Sequence, residues 1–182
     1  SFATYAKEVE QIRAEALVRS NSSFNGKFLF NGAADDTRPY SDDFQFAGDR
    51  AELSAASTSI YVADDTLITP HLGVAESDDE DFFASFFNDI QELEEALKEA
   101  DQGYKAEDEV GINTGVTRIN AVGLDLLKTE DKLVDNIGEM SAKVYRIETA
   151  KSHDDEWFLQ VENRISTEVD ADITETIVKL NQ

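Results

Sequence analysis

The first twenty residues alternate apolar and charged positions with the period of an α-helix. Apolar side chains recur at steps of three and four residues, while Lys7, Glu8 and Glu15 lie on the other faces. This spacing places the apolar residues in one stripe along an amphipathic helix. The short polar residues at 21–23 compete for backbone hydrogen bonds and predict its end. The stripe consists of Phe2, Tyr5, Val9, Ile12 and Ala16.

A second amphipathic helix is predicted where the same spacing returns after residue 80. Ser77 and Glu80 match the capping-box pattern, in which a hydroxyl and a carboxylate satisfy the first amide groups of a helix. We expect Gly103 to end this helix, since glycine is common just past a helix terminus. The apolar positions are Phe83, Phe86, Ile90, Leu93 and Leu97.

The last third of the chain carries apolar residues in a seven-residue frame, which Glu130, Lys151 and Asp154 interrupt. No proline follows Pro70, so the pattern predicts one very long helix, or two helices joined near residues 151–155. A strict heptad repeat favours left-handed packing against other helices. The frame contains Leu126, Leu133, Ile137, Met140, Val144, Ile147, Phe158, Val161, Ile165, Ile173, Ile177 and Leu180.

The middle of the chain lacks a helical period. A strand-like piece at 27–30 precedes it, and acid-rich turns then separate short apolar pieces at 44–46, 59–62 and 67–69. Such pieces are typical of hairpins. We therefore predict an α+β fold, an elongated bundle of long antiparallel helices with a small β-rich inserted domain. Residues 1–31 and 76–182 would form the helical rod domain, and residues 32–75 the insertion domain.

The charge balance narrows the possible partners. Sixteen Lys and Arg residues stand against 39 Asp and Glu residues, giving a net charge of −23. A field of this sign repels phosphate backbones and anionic lipid headgroups, so we expect neither nucleic-acid nor membrane binding. The absence of cysteine from the sequence excludes disulfides, thiolate zinc sites and cysteine nucleophiles.

The candidate chemistry is sparse. His71 and His153 are the two histidines, and neither belongs to a His-x3-His or His-Glu-x-x-His pattern. The acidic run at 78–81 lacks the alternating ligands of an EF-hand and suits a helix N-terminus. Adjacent acidic residues occur in predicted turns at 35–36 and 42–43, and weak binding of a cation at the surface there stays an open alternative. We predict no enzyme activity, no cofactor and no metal, which leaves binding or architecture.

Two stretches resemble the flagellar hook-associated protein 3 family of the flagellin superfamily. Residues 21–32 read Asn-Ser-Ser-Phe-Asn-Gly-Lys-Phe-Leu-Phe-Asn-Gly, and Arg-Pro-Tyr follows at 38–40. Residues 139–148 are similar to the family's Val-Gly-Ala-Arg-Leu-Asn-Arg-Leu-Glu stretch, with Ser141 in place of the usual glycine. The second stretch continues without a gap to residues 170–180, which are similar to the Asp-x-Asp-Ile/Leu-Ala-Glu-Ala/Thr-Ile pattern that the family shares with flagellins.

This resemblance implies a secreted structural subunit at the hook–filament junction of the extracellular bacterial flagellum. Its expected partners are flagellin, hook-associated protein 1, an export chaperone of the type III apparatus, and copies of itself in an axial ring formed through terminal helices. The alternatives that stay open are a flagellin, and, from another class, an acidic extracellular binding module or a calcium-dependent adhesin.

The expected mechanism is helix packing without catalysis. The heptad residues of the long helix should pack on the stripe of the first helix and so form the core. The predicted helix-packing residues are Phe2, Tyr5, Val9, Ile12, Phe83, Phe86, Ile90, Leu93, Ile137, Met140, Val144, Ile147, Phe158, Val161 and Ile165.

Overall fold

A computed structural model describes residues 1–55, 59–63, 66–69, 75, 77–78 and 80–180. Most of these residues are helical, with a long C-terminal helix and small two-stranded sheets. The chain divides into one unit of Ser1–Ser59 with Thr69–Met140 and another of Ile60–Ile68 with Ser141–Gln182. The elements are α1 (Phe2–Ser20), β1 (Ser23–Phe24), β2 (Lys27–Phe28), α2 (Arg50–Ala55), β3 (Ile60–Ala63), β4 (Thr66–Ile68), α3 (Phe82–Lys105) and α4 (Glu109–Leu180).

The core of the first unit lies between α1, α3 and the first part of α4. Its buried members are Ala6, Val9, Ile90 and Leu97. Partly buried side chains from all three helices surround it, so the stripes predicted on the first two helices face each other. These surrounding residues are Phe2, Phe86, Leu93, Ile119 and Leu126.

Helix α1 ends where its polar residues begin, which confirms the predicted boundary. The Ser20 hydroxyl and the Asn21 amide both donate to the carbonyl oxygen of Leu17, each at 2.9 Å. The same Leu17 carbonyl also accepts from the backbone amide of Asn21 at 3.3 Å, so three donors meet on one oxygen in the last turn of the helix. Both polar side chains thus bond to the backbone at the point where the chain leaves the helix.

Helix α3 begins later than the capping-box pattern predicted, so the assignment of Ser77 as the cap is wrong. Asp81 is the N-cap, and its Oδ1 accepts a hydrogen bond of 2.9 Å from the backbone amide of Ala84. The Ser77 carbonyl accepts from the amides of Glu80 and Asp81 in a separate turn. Asp81 takes the cap because it directly precedes the aromatic residues that the helix buries.

Gly103 does not end α3, contrary to prediction, since the helix continues to Lys105. The end comes instead at Glu107, whose φ of 53° turns the backbone, and the Asp108 amide donates to the Gly103 carbonyl at 2.9 Å. A Cβ on Gly103 would lie 2.6 Å from the backbone nitrogen of Ile112. Glycine is therefore required here by the close approach of α4, not by the helix terminus.

Helix α4 is one continuous element of 72 residues, Glu109–Leu180, which decides between the two predicted alternatives. The charged stretch near residues 151–155 continues the helix without a break. The stretch reads Lys-Ser-His-Asp-Asp and contains neither glycine nor proline, the two residues that cost most in a helix interior, so no residue in it forces a break. The polar interruption of the heptad frame therefore leaves the backbone intact.

The segment between α1 and α3 differs in part from the predicted β-rich domain. Asn25 and Gly26 both have positive φ, as a two-residue hairpin turn requires, and they join β1 to β2. Tyr40 and Phe46 form an isolated bridge, and α2 follows. In the second unit, β3 pairs with β4 in an antiparallel hairpin at the predicted apolar pieces. Residues 32–55 belong to the same unit as α1 and α3, because aromatic contacts tie them to α3.

Candidate interaction surfaces

An aromatic cluster attaches the segment after β2 to the first turns of α3. The ring of Tyr40 packs edge-on against Phe46, Phe83 and Phe87, with centroid distances of 5.7, 5.7 and 5.5 Å. Phe44 adds a further edge-on contact to Phe87 at 5.3 Å. Tyr40 and Phe87 are fully buried, so this cluster is a second apolar centre beside the core between the helices.

A network of polar and charged side chains surrounds Asp81, and we call it the Asp81 junction: Tyr40, Arg50, Asp78 and Asp81. The Tyr40 hydroxyl donates to the Asp81 carboxylate, with both oxygens 2.7 Å away. Arg50 Nη1 donates to Asp81 Oδ2 at 2.9 Å, and its Nη2 donates to Asp78 Oδ1 at 2.7 Å. One carboxylate therefore caps α3 and at the same time binds two residues of the preceding segment.

Burial and charge fix the protonation states in this junction. Burial raises the pKa of the Tyr40 hydroxyl well above its ordinary value, and the neighbouring negative charge of Asp81 raises it further. For Arg50, burial opposes the charged form, but hydrogen bonds to Asp81 and Asp78 outweigh it and raise the pKa. Tyr40 is therefore a permanent donor and Arg50 a permanent cation, as an architectural contact requires.

The charged groups of the Asp81 junction already bind one another within the chain. A surface depression of about 360 Å³ adjoins it, lined by Gln45, Phe46, Gly48, Arg50, Ser77 and Asp78. Among the described residues of the lining, Arg50 is the one cation, and its guanidinium already binds two carboxylates and lies 4.1 Å from the centre of the Phe46 ring. The charged groups of Arg50 and Asp78 in this lining are thus already paired with one another.

The structure brings together few of the residues considered as ligands. Asp35 pairs with Lys27 at 2.6 Å, and Asp42 pairs with Arg38 at 2.7 Å. His153 lies on an exposed turn of α4, and His71 lies outside the described residues. Over the part of the chain that the structure describes, no group of three or more metal-ligating side chains is found.

The predicted helix-packing residues divide into a packed set, an exposed set and two half-buried residues of α4. One set lies in or against the core of the first unit, or in the aromatic cluster, and it comes from α1 and α3. Val9 and Ile90 are buried, while Phe2, Phe86 and Leu93 pack around them and Phe83 contacts Phe30 and Tyr40. Met140 and Val161 on α4 are half-buried.

The other set is exposed, and here the structure differs from the predicted core. Tyr5 is 58% exposed and Ile12 is also exposed, because α1 turns only its Ala6 and Val9 face towards α3. On α4 the side chains that face this core are Ile119, which precedes the predicted heptad frame, and Leu126, which is its first position. The exposed α4 residues of the predicted packing set are Ile137, Val144, Ile147, Phe158 and Ile165.

We call the heptad positions of α4 from Val144 to Ile165 the α4 seam: Val144, Ile147, Lys151, Asp154, Phe158, Val161 and Ile165. Phe158 is 64% exposed and Ile165 is 57% exposed. Aromatic and branched apolar side chains gain most from leaving water, so a helix that exposes them at regular spacing presents a surface for another helix.

Sequence patterns do not reveal the Asp81 junction. In the sequence, the Arg-Pro-Tyr stretch at 38–40 is notable only for its resemblance to the hook-associated protein 3 family. Asp81 is one acid of an acidic run, and Arg50 belongs to no motif. The contacting residues lie up to 41 positions apart, so no local pattern relates them. The one available signal is the isolated Arg50 in an acidic neighbourhood, whose charge requires a carboxylate nearby.

Comparison with known proteins adds no further constraint. No family model, no curated protein and no solved structure matches the chain. A search of the described residues for a helix long and apolar enough to cross a bilayer finds none.

Proposed function

We propose that this chain is a structural adaptor subunit at the hook–filament junction of the bacterial flagellum, acting through helix packing and subunit contacts without catalysis. The observation that carries the proposal is the α4 seam, an apolar surface at heptad spacing that one chain leaves exposed. A surface of this kind suits association with other helices, which is the activity expected of an axial protein.

The sequence motifs favour the hook–filament junction over other helical assemblies. The stretch at 21–32 that resembles hook-associated protein 3 contains the β1–β2 hairpin and leads to the buried Asn31. The stretch at 139–148 lies on α4 and contributes the first residues of the α4 seam. Both stretches thus occupy positions where a family would need particular residues, one at a tight turn and one at an exposed apolar surface.

The finer features of the fold and the partners belong to the same proposal. We propose that the helices form an elongated antiparallel bundle with a β-rich insertion, and that the protein is exported to the extracellular flagellum. Its partners would be flagellin and hook-associated protein 1, with an export chaperone before secretion. Its net charge of −23 makes these contacts dependent on complementary charges or on salt.

Immunogold electron microscopy tests the location. Antibodies raised against the purified chain are applied to intact flagella of the source cells. Labelling confined to the hook–filament junction is the expected result. Labelling along the whole filament would favour the flagellin alternative, and labelling of the cell surface without flagella would overturn the proposal.

Binding measurements test the surface. Phe158→Ser should weaken association with purified flagellin or hook-associated protein 1, because the substitution removes a large apolar side chain from the α4 seam. Leu159→Ser is the matched control, since Leu159 is 57% exposed on the same helix but lies outside the heptad frame. Equal losses for both variants would contradict a specific role for the α4 seam.

A further inference from the structure

The α4 seam has a polar centre made of two opposite charges. Lys151 and Asp154 occupy consecutive heptad positions, with Ile147 before them and Phe158 after them. Both charged side chains are exposed, and neither takes part in an ion pair within the part of the chain that the structure describes. The centre of the α4 seam therefore consists of a cation followed along the helix by an anion, on an otherwise apolar surface.

From this order we infer that the α4 seam binds a second copy of the same chain in antiparallel orientation. In an antiparallel pair of helices, each position of one heptad type faces the other type on the neighbouring helix. With the two-fold axis between positions 152 and 153, Lys151 faces the partner's Asp154, and Asp154 faces the partner's Lys151. The contact is isologous, as a two-fold dimer requires.

The same register also matches the apolar positions. Ile147 faces the partner's Phe158, and Val144 faces the partner's Val161. Each chain thus covers two apolar layers on either side of the charged centre, and every one of these layers joins side chains that the single chain leaves exposed or half-buried. Covering them removes apolar surface from water, which supplies the driving force for association.

Charge decides the orientation. A parallel pair in register would place Lys151 against the partner's Lys151 and Asp154 against the partner's Asp154, so both central layers would hold like charges. The antiparallel pair turns both layers into salt bridges. Its cost is that Glu148 lies near the partner's Asp155, a like-charge contact at the edge, where solvent and salt screen it.

This inference does not depend on the proposed function. Neighbours in an axial ring all point the same way, so an antiparallel pair is a different contact, one that covers the α4 seam in the unassembled protein. A failure of the location experiment therefore leaves this inference standing, and the reverse also holds.

Charge reversal with rescue tests the register. Sedimentation velocity of the full chain over a concentration series gives the dimer dissociation constant in about 0.15 M NaCl, where the Debye length is about 8 Å. Lys151→Glu and Asp154→Lys should each weaken the dimer by at least about tenfold. The double variant K151E/D154K should restore the dissociation constant, because it recreates both salt bridges with their signs exchanged.

The variants control for net charge and for folding. The two single variants shift the net charge in opposite directions, so a common loss cannot come from overall repulsion. Lys7→Glu changes the charge as Lys151→Glu does but lies on α1, and it should leave the dimer unchanged. Circular dichroism checks that helix content is retained. A monomeric wild type, unaffected single variants, or a double variant as weak as the singles would each overturn the inference.

Discussion

Gly115 of α4 lies directly against Ala100 of α3. A Cβ built on Gly115 would be 2.7 Å from the backbone nitrogen of Ala100 and 2.8 Å from its Cβ. Ala100 is fully buried, and the contacting atoms include backbone, so the neighbour cannot move aside as a flexible side chain would. Together with Gly103, this contact sets how closely the beginning of α4 approaches the end of α3.

The first prediction is that Gly115→Ala destabilises the protein. The added methyl group should separate the helices and cost about 1–3 kcal/mol of unfolding free energy, more than the gain in helix propensity. Gly123→Ala is the matched control, since a Cβ on Gly123 would have nothing within 4 Å and alanine should stabilise the helix by about 0.5–1 kcal/mol. Urea denaturation measures both, and equal effects would contradict the close approach.

The second prediction concerns the hydroxyl of Tyr40. Tyr40→Phe removes the donor to the Asp81 carboxylate, and a hydrogen bond to a charged group is worth about 1.5–3 kcal/mol. Tyr5→Phe is the control, because Tyr5 is largely exposed and a surface change of this kind stays within about 0.5 kcal/mol. Comparable losses in thermal or urea unfolding would show that the Tyr40 bond contributes nothing.

The third prediction is a dependence on pH that belongs to Tyr40. An unfolded tyrosine loses its proton near about pH 10, whereas burial and Asp81 raise the pKa of folded Tyr40 well above that value. Above about pH 10 the unfolded state therefore binds fewer protons than the folded state, and stability falls as the pH rises. The stability advantage of wild type over Tyr40→Phe should be constant below about pH 10 and shrink above it. A constant difference at alkaline pH would contradict this.

How much of the fold the sequence could predict depends on the range of the interaction. The helices containing Val9, Ile90 and Val144 follow from spacing within a few residues, which is a local property. The cap of α3 does not, because Ser77 and Asp81 are both good capping residues and the choice involves Tyr40 and Arg50, which are distant in sequence. Local patterns show which residues could cap, and tertiary contacts decide which one does.

The α4 seam also shows that a local pattern does not identify a distant partner. The heptad frame predicted an apolar seam on the long helix, and such a seam exists, but the frame does not say which helix covers it. The frame places Val144 and Phe158 in the core of one chain, but both are exposed. Periodicity reports that a face requires a partner, while the identity of the partner depends on charges such as Lys151 and Asp154.

The fourth prediction compares two arginines. Arg50→Ala leaves the largely buried Asp81 carboxylate without its cation, and breaking a buried ion pair in this way costs about 3 kcal/mol or more. Arg19→Ala removes an exposed pair with Glu15 and should cost less than about 0.5 kcal/mol. Urea denaturation of both variants measures the difference. Similar small losses would mean that the Asp81 junction is no stronger than a surface pair.

The fifth prediction is that salt stabilises the folded protein. Two effects oppose each other, because salt screens the repulsion from the net charge of −23 but also weakens surface attractions such as those of Arg118 with Glu92, Glu95 and Glu99, at 3.8, 3.6 and 2.9 Å. The excess of 39 acidic over 16 basic residues leaves most carboxylates without a cation of their own, so screening of the repulsion should win.

Most of the salt effect should come at low concentration. Between about 0.01 M and 0.15 M NaCl the Debye length falls from about 30 Å to about 8 Å, and the thermal midpoint should rise steeply in this range and then level off. A gain of about 1 kcal/mol would raise the midpoint by about 2–4 °C in a protein of this size. Sucrose, which stabilises by exclusion from the surface and does not screen charge, should give a steady rise instead. A midpoint that falls as NaCl is added would mean that the Arg118 pairs and their like outweigh the net repulsion.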